Sequence, residues 1–224
     1  MFELEQRKLR LGMPKENRLT VNSEELLRKA GLRFRSPTTD GRLRVPVANL
    51  PIDLYYFRSR DMVRVMERGA IDLGINGEDT VAELGKGVTE VLPLNIGECR
   101  LIVAVPRKSG YKSVEDLNGK EIATPYPHLA ERFFQENGVD CEFYYQRGSL
   151  EITPRLRLAE AIFDITNTGR AVNRHRLREL AEARPVQAAL FARPGLEIGS
   201  ERIAWFIDLL RNTVLGSQPE LASE

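Results

Sequence analysis

Asp164-Ile165-Thr166-Asn167-Thr168-Gly169-Arg170 gathers an acid, two hydroxyls, an amide, a glycine and a guanidinium within seven residues. Such a set suits a phosphate and a sugar diol. Hydroxyls and backbone N–H groups donate to phosphate oxygens, and a carboxylate accepts from ribose hydroxyls or shares a divalent ion. The preceding residues, Ala161-Ile162-Phe163-Asp164-Ile165, form a short apolar run with β-formers, which predicts a buried strand. The residues that follow can be helical from about Arg170 to Ala181. A strand feeding a Thr/Gly turn and a helix N-terminus presents unpaired N–H groups to an anion. The same pattern also describes an ordinary capped turn, with Asp164 bonded to local backbone.

Other charged residues fall at predicted strand ends. Leu9 to Met13 reads as a strand, so Lys15 and Arg18 lie in the loop at its carboxyl end, where open α/β sheets hold ligands. A helix capped by Ser23 and closed by Gly31 follows. Leu43 to Val47 and Ile52 to Phe57 read as paired strands. Arg58 ends the second, and Ser59 is expected to cap a helix to about Arg68, with Val63 and Met66 facing inward. Ile71 to Ile75 is a further buried strand, with Asp79 at the start of the next helix. Gly74 and Gly77 are expected to let the backbone turn tightly there and approach a ligand without Cβ interference.

The 224 residues suffice for one large domain or two smaller lobes, and 42% hydrophobic and 29% charged residues are those of a globular chain. With 33 Lys+Arg against 32 Asp+Glu, net charge gives no pull toward nucleic acid or membrane. Cys99 and Cys141 have no metal-type spacing, and no apolar run has membrane length. The expectation is a cytoplasmic protein.

Further α/β segments continue the pattern. Strands are expected at Val88 to Leu94, Arg100 to Pro106, Lys120 to Thr124, Cys141 to Gln146 and Val186 to Ala192. Helices are expected at Tyr126 to Asn137, from Ser149 into Leu156, and at Glu201 to Val214 after a Ser200 cap. Gln218 to Glu224 reads as a frayed tail. A crossover near Pro106 to Gly110 would put 1–106 and 186–224 in a first lobe and 107–185 in a second, with a hinged cleft expected between them.

Several segments together resemble the ATP phosphoribosyltransferase family, over about residues 9 to 193. The most specific is Gly69-Ala70-Ile71-Asp72-Leu73-Gly74-Ile75-Asn76-Gly77-Glu78-Asp79, which follows G-x-x-D-x-G-[IV]-x-G-x-D throughout. Arg58-Ser59-Arg60-Asp61 follows R-x-x-D, and Cys99-Arg100-Leu101 opens a C-R-L-x-V-A match. Glu151, Pro154, Leu158 to Ile162, Asp164 and Thr168-Gly169 follow the family's signature. The resemblance implies a two-lobed fold like a type II periplasmic binding protein. It also implies a Mg2+-dependent condensation of ATP with phosphoribosyl pyrophosphate. On that basis Thr166, Asn167, Thr168, Gly169, Arg170 and Ala171 would hold the 5-phosphate, and Glu151 and Asp164 the ribose hydroxyls or Mg2+. Lys15, Arg18 and Arg58 would hold the polyphosphate and ATP side, and Asp79 would position the nucleotide or a nearby loop.

Several positions depart from the family pattern. The Lys15 loop reads Lys15-Glu16-Asn17-Arg18 instead of K-G-R. Pro125 replaces a lysine, Arg157 a glycine and Ala171 a threonine, and Asn173-Arg174-His175-Arg176 replaces R-A-N-G. The length is that of the family's short form, which implies a regulatory partner similar to histidyl-tRNA synthetase and a homo- or hetero-oligomer. A diverged paralogue that binds a phosphorylated metabolite without turnover, and a solute-binding protein of the same fold, are the competing readings.

Overall fold

The computed structural model describes residues 8–15, 18–37 and 41–216. They form two α/β units, Met1–Gly97 with Gln187–Glu224 and Glu98–Val186.

The first unit is built on a six-stranded sheet. Its strands are β1 (Leu9–Pro14), β2 (Arg44–Pro46), β3 (Ile52–Phe57), β4 (Leu73–Gly77), β5 (Thr89–Pro93) and, late in the chain, a returning strand Ala188–Ala192. The order is β2-β3-β1-β4-return-β5. β1 runs parallel to both β3 and β4, so three carboxyl ends lie side by side. The sheet carries helices on both faces because its strands are apolar on both sides. Helix α1 (Arg18–Lys29) and the final helix Glu201–Val214 bury Leu26, Leu27, Ile203, Phe206 and Leu210 against one face. On the other, α2 (Ser59–Glu67) buries Met62, Val63 and Met66 together with Val81 of α3 (Glu78–Leu84) and Phe191. Each such side chain contributes about 1.5–3 kcal/mol.

The second unit has five strands: β6 (Cys99–Pro106), β7 (Glu121–Thr124), β8 (Glu142–Tyr145), β9 (Ala161–Thr166) and β10 (Leu177–Val186). Their order is β10-β6-β9-β7-β8. Helix α4 (Pro127–Glu136) covers one face through Leu129, Ala130 and Phe134. On the opposite face Ile102, Ala104 and Ile162 meet Leu150 and Ala159, from the segment before β9, and Val172 of α5 (Arg170–Arg174). The returning strand is β11 and the last helix α6.

Several expectations need correction. The crossover lies at Gly97/Glu98, since β6 pairs with β9 and β10 and so belongs to the second sheet. The helix expected from Arg170 to Ala181 stops after five residues, and strand β10 follows. Two register shifts in β10, between Glu179 and Ala181 and between Glu182 and Arg184, break its alternation. They leave Leu177, Leu180 and Ala181 at a spacing that imitates a helix face. Ser23 caps nothing, because α1 begins at Arg18 and places it in mid-helix. It is fully buried there, and its Oγ lacks a partner. Ser149 makes no cap either; it sits at φ 53° before a single 3-10 turn, Leu150–Ile152. The tail Gln218 to Glu224, and Glu16 and Asn17 of the Lys15 loop, lie outside the described residues.

Candidate functional site

In the second unit the candidate phosphate turn forms at the carboxyl end of β9. Thr166 closes it by accepting the Gly169 amide on Oγ1 at 3.0 Å. The Asn167 side-chain amide donates to the Glu98 carbonyl. Gly169 has φ +66°, the left-handed region where a side chain is strained, so the turn requires glycine for its backbone and not for space. The chain then enters α5, whose first-turn amides at Arg170, Ala171 and Val172 have no carbonyl four residues back within the helix. Thr168, Arg170 and Ala171 are exposed beside them. A five-residue helix adds little dipole, so anion binding at this turn would rest on the local donors.

Asp164 and Thr166 point to the same side of β9 as Ile162, by strand alternation. Ile162 shares its buried cluster with Leu150 and Val172. The turn that carries Glu151 and the helix that carries Arg170 therefore cover the face from which Asp164 projects. Asp164 is half-buried, and one carboxylate oxygen accepts the Ile165 amide at 2.8 Å. Glu151 is likewise half-buried. Thr153 fixes its turn by donating to the Leu150 carbonyl at 2.7 Å.

In the first unit, Lys15, Arg58 and Asp79 follow β1, β3 and β4, the three adjacent parallel strands. The Lys15 amide donates to the Phe57 carbonyl at 2.8 Å, which brings the Lys15 and Arg58 backbones together. Arg58, rather than the expected Ser59, stands at the N-cap of α2 and is exposed, with Ser59 the first residue of the helix. Arg18 opens α1, but its side chain lies outside the described residues. Asp79 is buried and folded back over its own turn: a Cβ on Gly77 would sit 2.3 Å from its Oδ1. Thr80 Oγ1 donates to the other oxygen at 3.3 Å. Asp79 thus shapes the strand–helix junction.

The other members of the same motif act through packing. Asp72 accepts Arg10 Nη2 at 2.7 Å, the Arg10 amide at 3.0 Å and Arg193 Nε at 3.3 Å, tying β1 to the end of β11. Burial works against ionisation of Asp72, yet these donors hold it below the ordinary carboxylate range. A Cβ on Gly74 would lie 2.7 Å from Met66 Sδ and 2.9 Å from Met62 Sδ. Gly74 and Gly77 have no positive φ, so the tight-turn expectation is corrected: both are glycine to make room.

Sequence reasoning passed over a cavity of about 550 Å³ beside Lys15, lined also by Glu24, Arg28, Ser36, Arg42 and Tyr56. Glu24-x-x-x-Arg28 is visible as a helical pair, but Ser36 and Tyr56 lie 12 and 32 residues from Glu24 and carry no local signal. Among the described residues no group of three His, Cys, Asp or Glu is placed to hold a metal ion, and no helix is long and apolar enough to cross a membrane.

Two α/β sheet units, joined by two crossings of the chain and carrying ligand-type loops at strand ends, define the type II periplasmic-binding-protein-like class. The alkanesulfonate-binding protein SsuA from Xanthomonas axonopodis pv. citri superposes with a TM-score of 0.59 at 17% identity, over 93% of this chain and 72% of its own. The ATP phosphoribosyl transferase (HisG:HisZ) complex from Thermotoga maritima superposes with a TM-score of 0.76 at 24% identity, over 93% of this chain and all of that chain. A sequence model of ATP phosphoribosyltransferase matches residues 58–212. An ATP phosphoribosyltransferase from Methanopyrus kandleri is 37% identical over 184 residues, 82% of this chain and 65% of the relative. Another from Rhodopirellula baltica is 38% identical over 174 residues, 78% of this chain and 58% of the relative. The chain belongs to the ATP phosphoribosyltransferase family, and it spans about three fifths to two thirds of the length of these two relatives.

Proposed function

We propose that this chain condenses ATP with phosphoribosyl pyrophosphate to N1-(5-phosphoribosyl)-ATP and pyrophosphate, the first step of histidine biosynthesis. Adenine N1 forms a bond to the anomeric carbon as the bond from that carbon to the pyrophosphate oxygen breaks and its electron pair leaves with pyrophosphate. N1 attacks with a lone pair and carries no proton to lose, so no strong base is required. Positioning and compensation of the departing charge carry the rate.

The observation that carries this reading is the gathering of Glu151, Asp164 and the Thr166–Ala171 turn on one face and one end of β9. Thr168, Gly169, Arg170 and Ala171 would bind the 5-phosphate through hydroxyl, amides and guanidinium. Asp164, steadied by the Ile165 amide, and Glu151 would orient the ribose hydroxyls. Lys15, Arg18 and Arg58 would draw polyphosphate to the strand ends of the first unit, and Asp79 would keep their neighbouring junction in shape.

Mg2+ fits these donors as an ion shared with the substrate. It commonly takes one or two carboxylates and completes its shell with phosphate oxygens and water, and Asp164 with Glu151 supplies that number. When bound it would neutralise charge on the pyrophosphate. A regulatory subunit similar to histidyl-tRNA synthetase is the expected partner, in a cytoplasmic oligomer. Cys99 and Cys141, both present as thiols, accord with a reducing compartment.

Incubation with ATP, phosphoribosyl pyrophosphate and Mg2+, with and without such a partner, should yield phosphoribosyl-ATP identified by mass. If no product forms under either condition while phosphoribosyl pyrophosphate still binds, the chain is a binding paralogue and this proposal falls.

A further inference from the structure

The cavity beside Lys15 has a wall organised around one buried acid. Glu24 is 5% exposed. Its Oε1 accepts Ser36 Oγ at 2.9 Å and the Tyr56 hydroxyl at 3.0 Å. Its Oε2 accepts Arg28 Nη2 at 2.9 Å. Burial, and then the negative charge of Glu24, push the Tyr56 hydroxyl upward in pKa, so Tyr56 stays a neutral donor. Arg28 is gripped a second time, with its guanidinium 4.8 Å from the centre of the Phe34 ring.

A surface Glu–Arg pair four residues apart on a helix contributes little and does not fix its arginine. Here the acid is desolvated and held by three donors from three parts of the chain, while the arginine side chain keeps 42% of its surface exposed. The arrangement spends a buried carboxylate on orienting one guanidinium whose outer side is open. Among the described residues, the cavity's charged lining is Lys15, Arg28 and Arg42 against Glu24, three cations to one acid. A volume of about 550 Å³ suits a nucleotide-sized ligand, and the site lies at the carboxyl end of β1, where α/β sheets take such ligands.

We propose that Arg28 is a further ATP-binding residue, contacting the polyphosphate from the wall of this cavity, and that Glu24 positions it. The proposal rests on the phosphoribosyltransferase reading for the identity of the nucleotide. The site itself is defined by the geometry of the first unit alone.

Titration calorimetry of the full chain with ATP, with inorganic tripolyphosphate and with phosphoribosyl pyrophosphate tests it. Arg28→Ala should weaken ATP and tripolyphosphate tenfold or more and leave phosphoribosyl pyrophosphate within twofold. Arg28→Lys should recover part of the loss, and raised salt should shrink the difference between wild type and Arg28→Ala. Glu24→Gln should weaken ATP by less, and adding Arg28→Ala to it should cost less than Arg28→Ala alone, since the two act as one unit. Wild-type affinity for ATP and tripolyphosphate in a folded Arg28→Ala protein overturns the proposal. So does an equal loss for all three ligands, which would mark a structural role; should Arg28→Ala not fold, Arg28→Gln is judged by the same criteria. If wild type binds tripolyphosphate through Arg28 but does not bind ATP, the anion site stands and the nucleotide assignment falls with the proposed function. If it binds neither, both fall.

Discussion

Arg157→Gly should make the protein more stable, although it removes a charged side chain and adds a flexible residue. The turn from Leu150 ends with the Leu158 amide donating to the Thr153 carbonyl at 3.1 Å and the Arg157 amide to the Pro154 carbonyl at 3.3 Å. That pair of bonds is the Schellman arrangement, in which the residue at the Arg157 position turns left-handed and is usually glycine. Arg157 has φ +59°. A non-glycine residue there costs about 1–2 kcal/mol. Glycine loses about 0.5–1 kcal/mol more backbone entropy on folding, so the net gain is about 0.5–1 kcal/mol. At about 2–4 °C per kcal/mol for a chain of this size, the melting temperature should rise by about 1–4 °C. Arg157→Ala is the control: it removes the same exposed guanidinium but keeps the strain, and should change stability by less than about 0.5 kcal/mol. Thermal melts of the three proteins decide the matter. A glycine variant no more stable than the alanine variant would refute the backbone argument and return the effect to the arginine side chain.

Other expectations follow from the same geometry. Ser23→Ala should stabilise by about 1 kcal/mol, because it removes a buried hydroxyl without a partner from mid-helix; the loss of a true cap would cost about that much, so the sign of a urea-denaturation shift is decisive. Arg10→Met should destabilise by about 3 kcal/mol at neutral pH by stripping a buried carboxylate of its main donor. Because Asp72 is held below its unfolded pKa of about 3.9, that contribution is complete above this value. It disappears as pH falls through the folded value, and unfolding curves of the two proteins should converge in acid. Gly169→Val should weaken phosphoribosyl pyrophosphate tenfold or more, about 1.4 kcal/mol, by forcing a β-branched residue to φ +66°. Unchanged affinity in a folded variant would remove the turn from the site.

What could be read from the chain depended on whether the information was local. Most strands of both sheets announce themselves as apolar runs, and the candidate phosphate turn is legible because its hydroxyls, glycine and arginine lie within a few residues. β6 is equally apolar, but its allegiance is set by β9 and β10, which lie about 55 or more residues downstream, and no composition shift at Pro106 could reveal that. β10 hid behind its two register shifts, which scramble a period of two. Glu24 shows locally only a helical spacing to Arg28. Its real partners, Ser36 and Tyr56, arrive from a loop and from β3, so a cavity wall was invisible at the level of motif.

The glycines show why some departures from the family pattern are tolerable. At Arg157 and Arg176, with φ +59° and +61°, the pattern's glycines are replaced by arginine. Both side chains are exposed, so only a backbone preference of about 1–2 kcal/mol stands against them. At Gly74 and Gly77 the backbone would accept any residue, but a Cβ would meet a methionine sulfur at 2.7 Å or the Asp79 carboxylate at 2.3 Å. Relieving those contacts means repacking the buried Met62 and Met66 side chains or turning the Asp79 carboxylate out of its place, so the change is felt beside the strand ends that precede Lys15, Arg58 and Asp79. A glycine demanded by dihedral angle can thus be exchanged at a modest, local cost. One demanded by space is tied to the site through the core, and the unbroken Gly69–Asp79 motif is of that second kind at both positions.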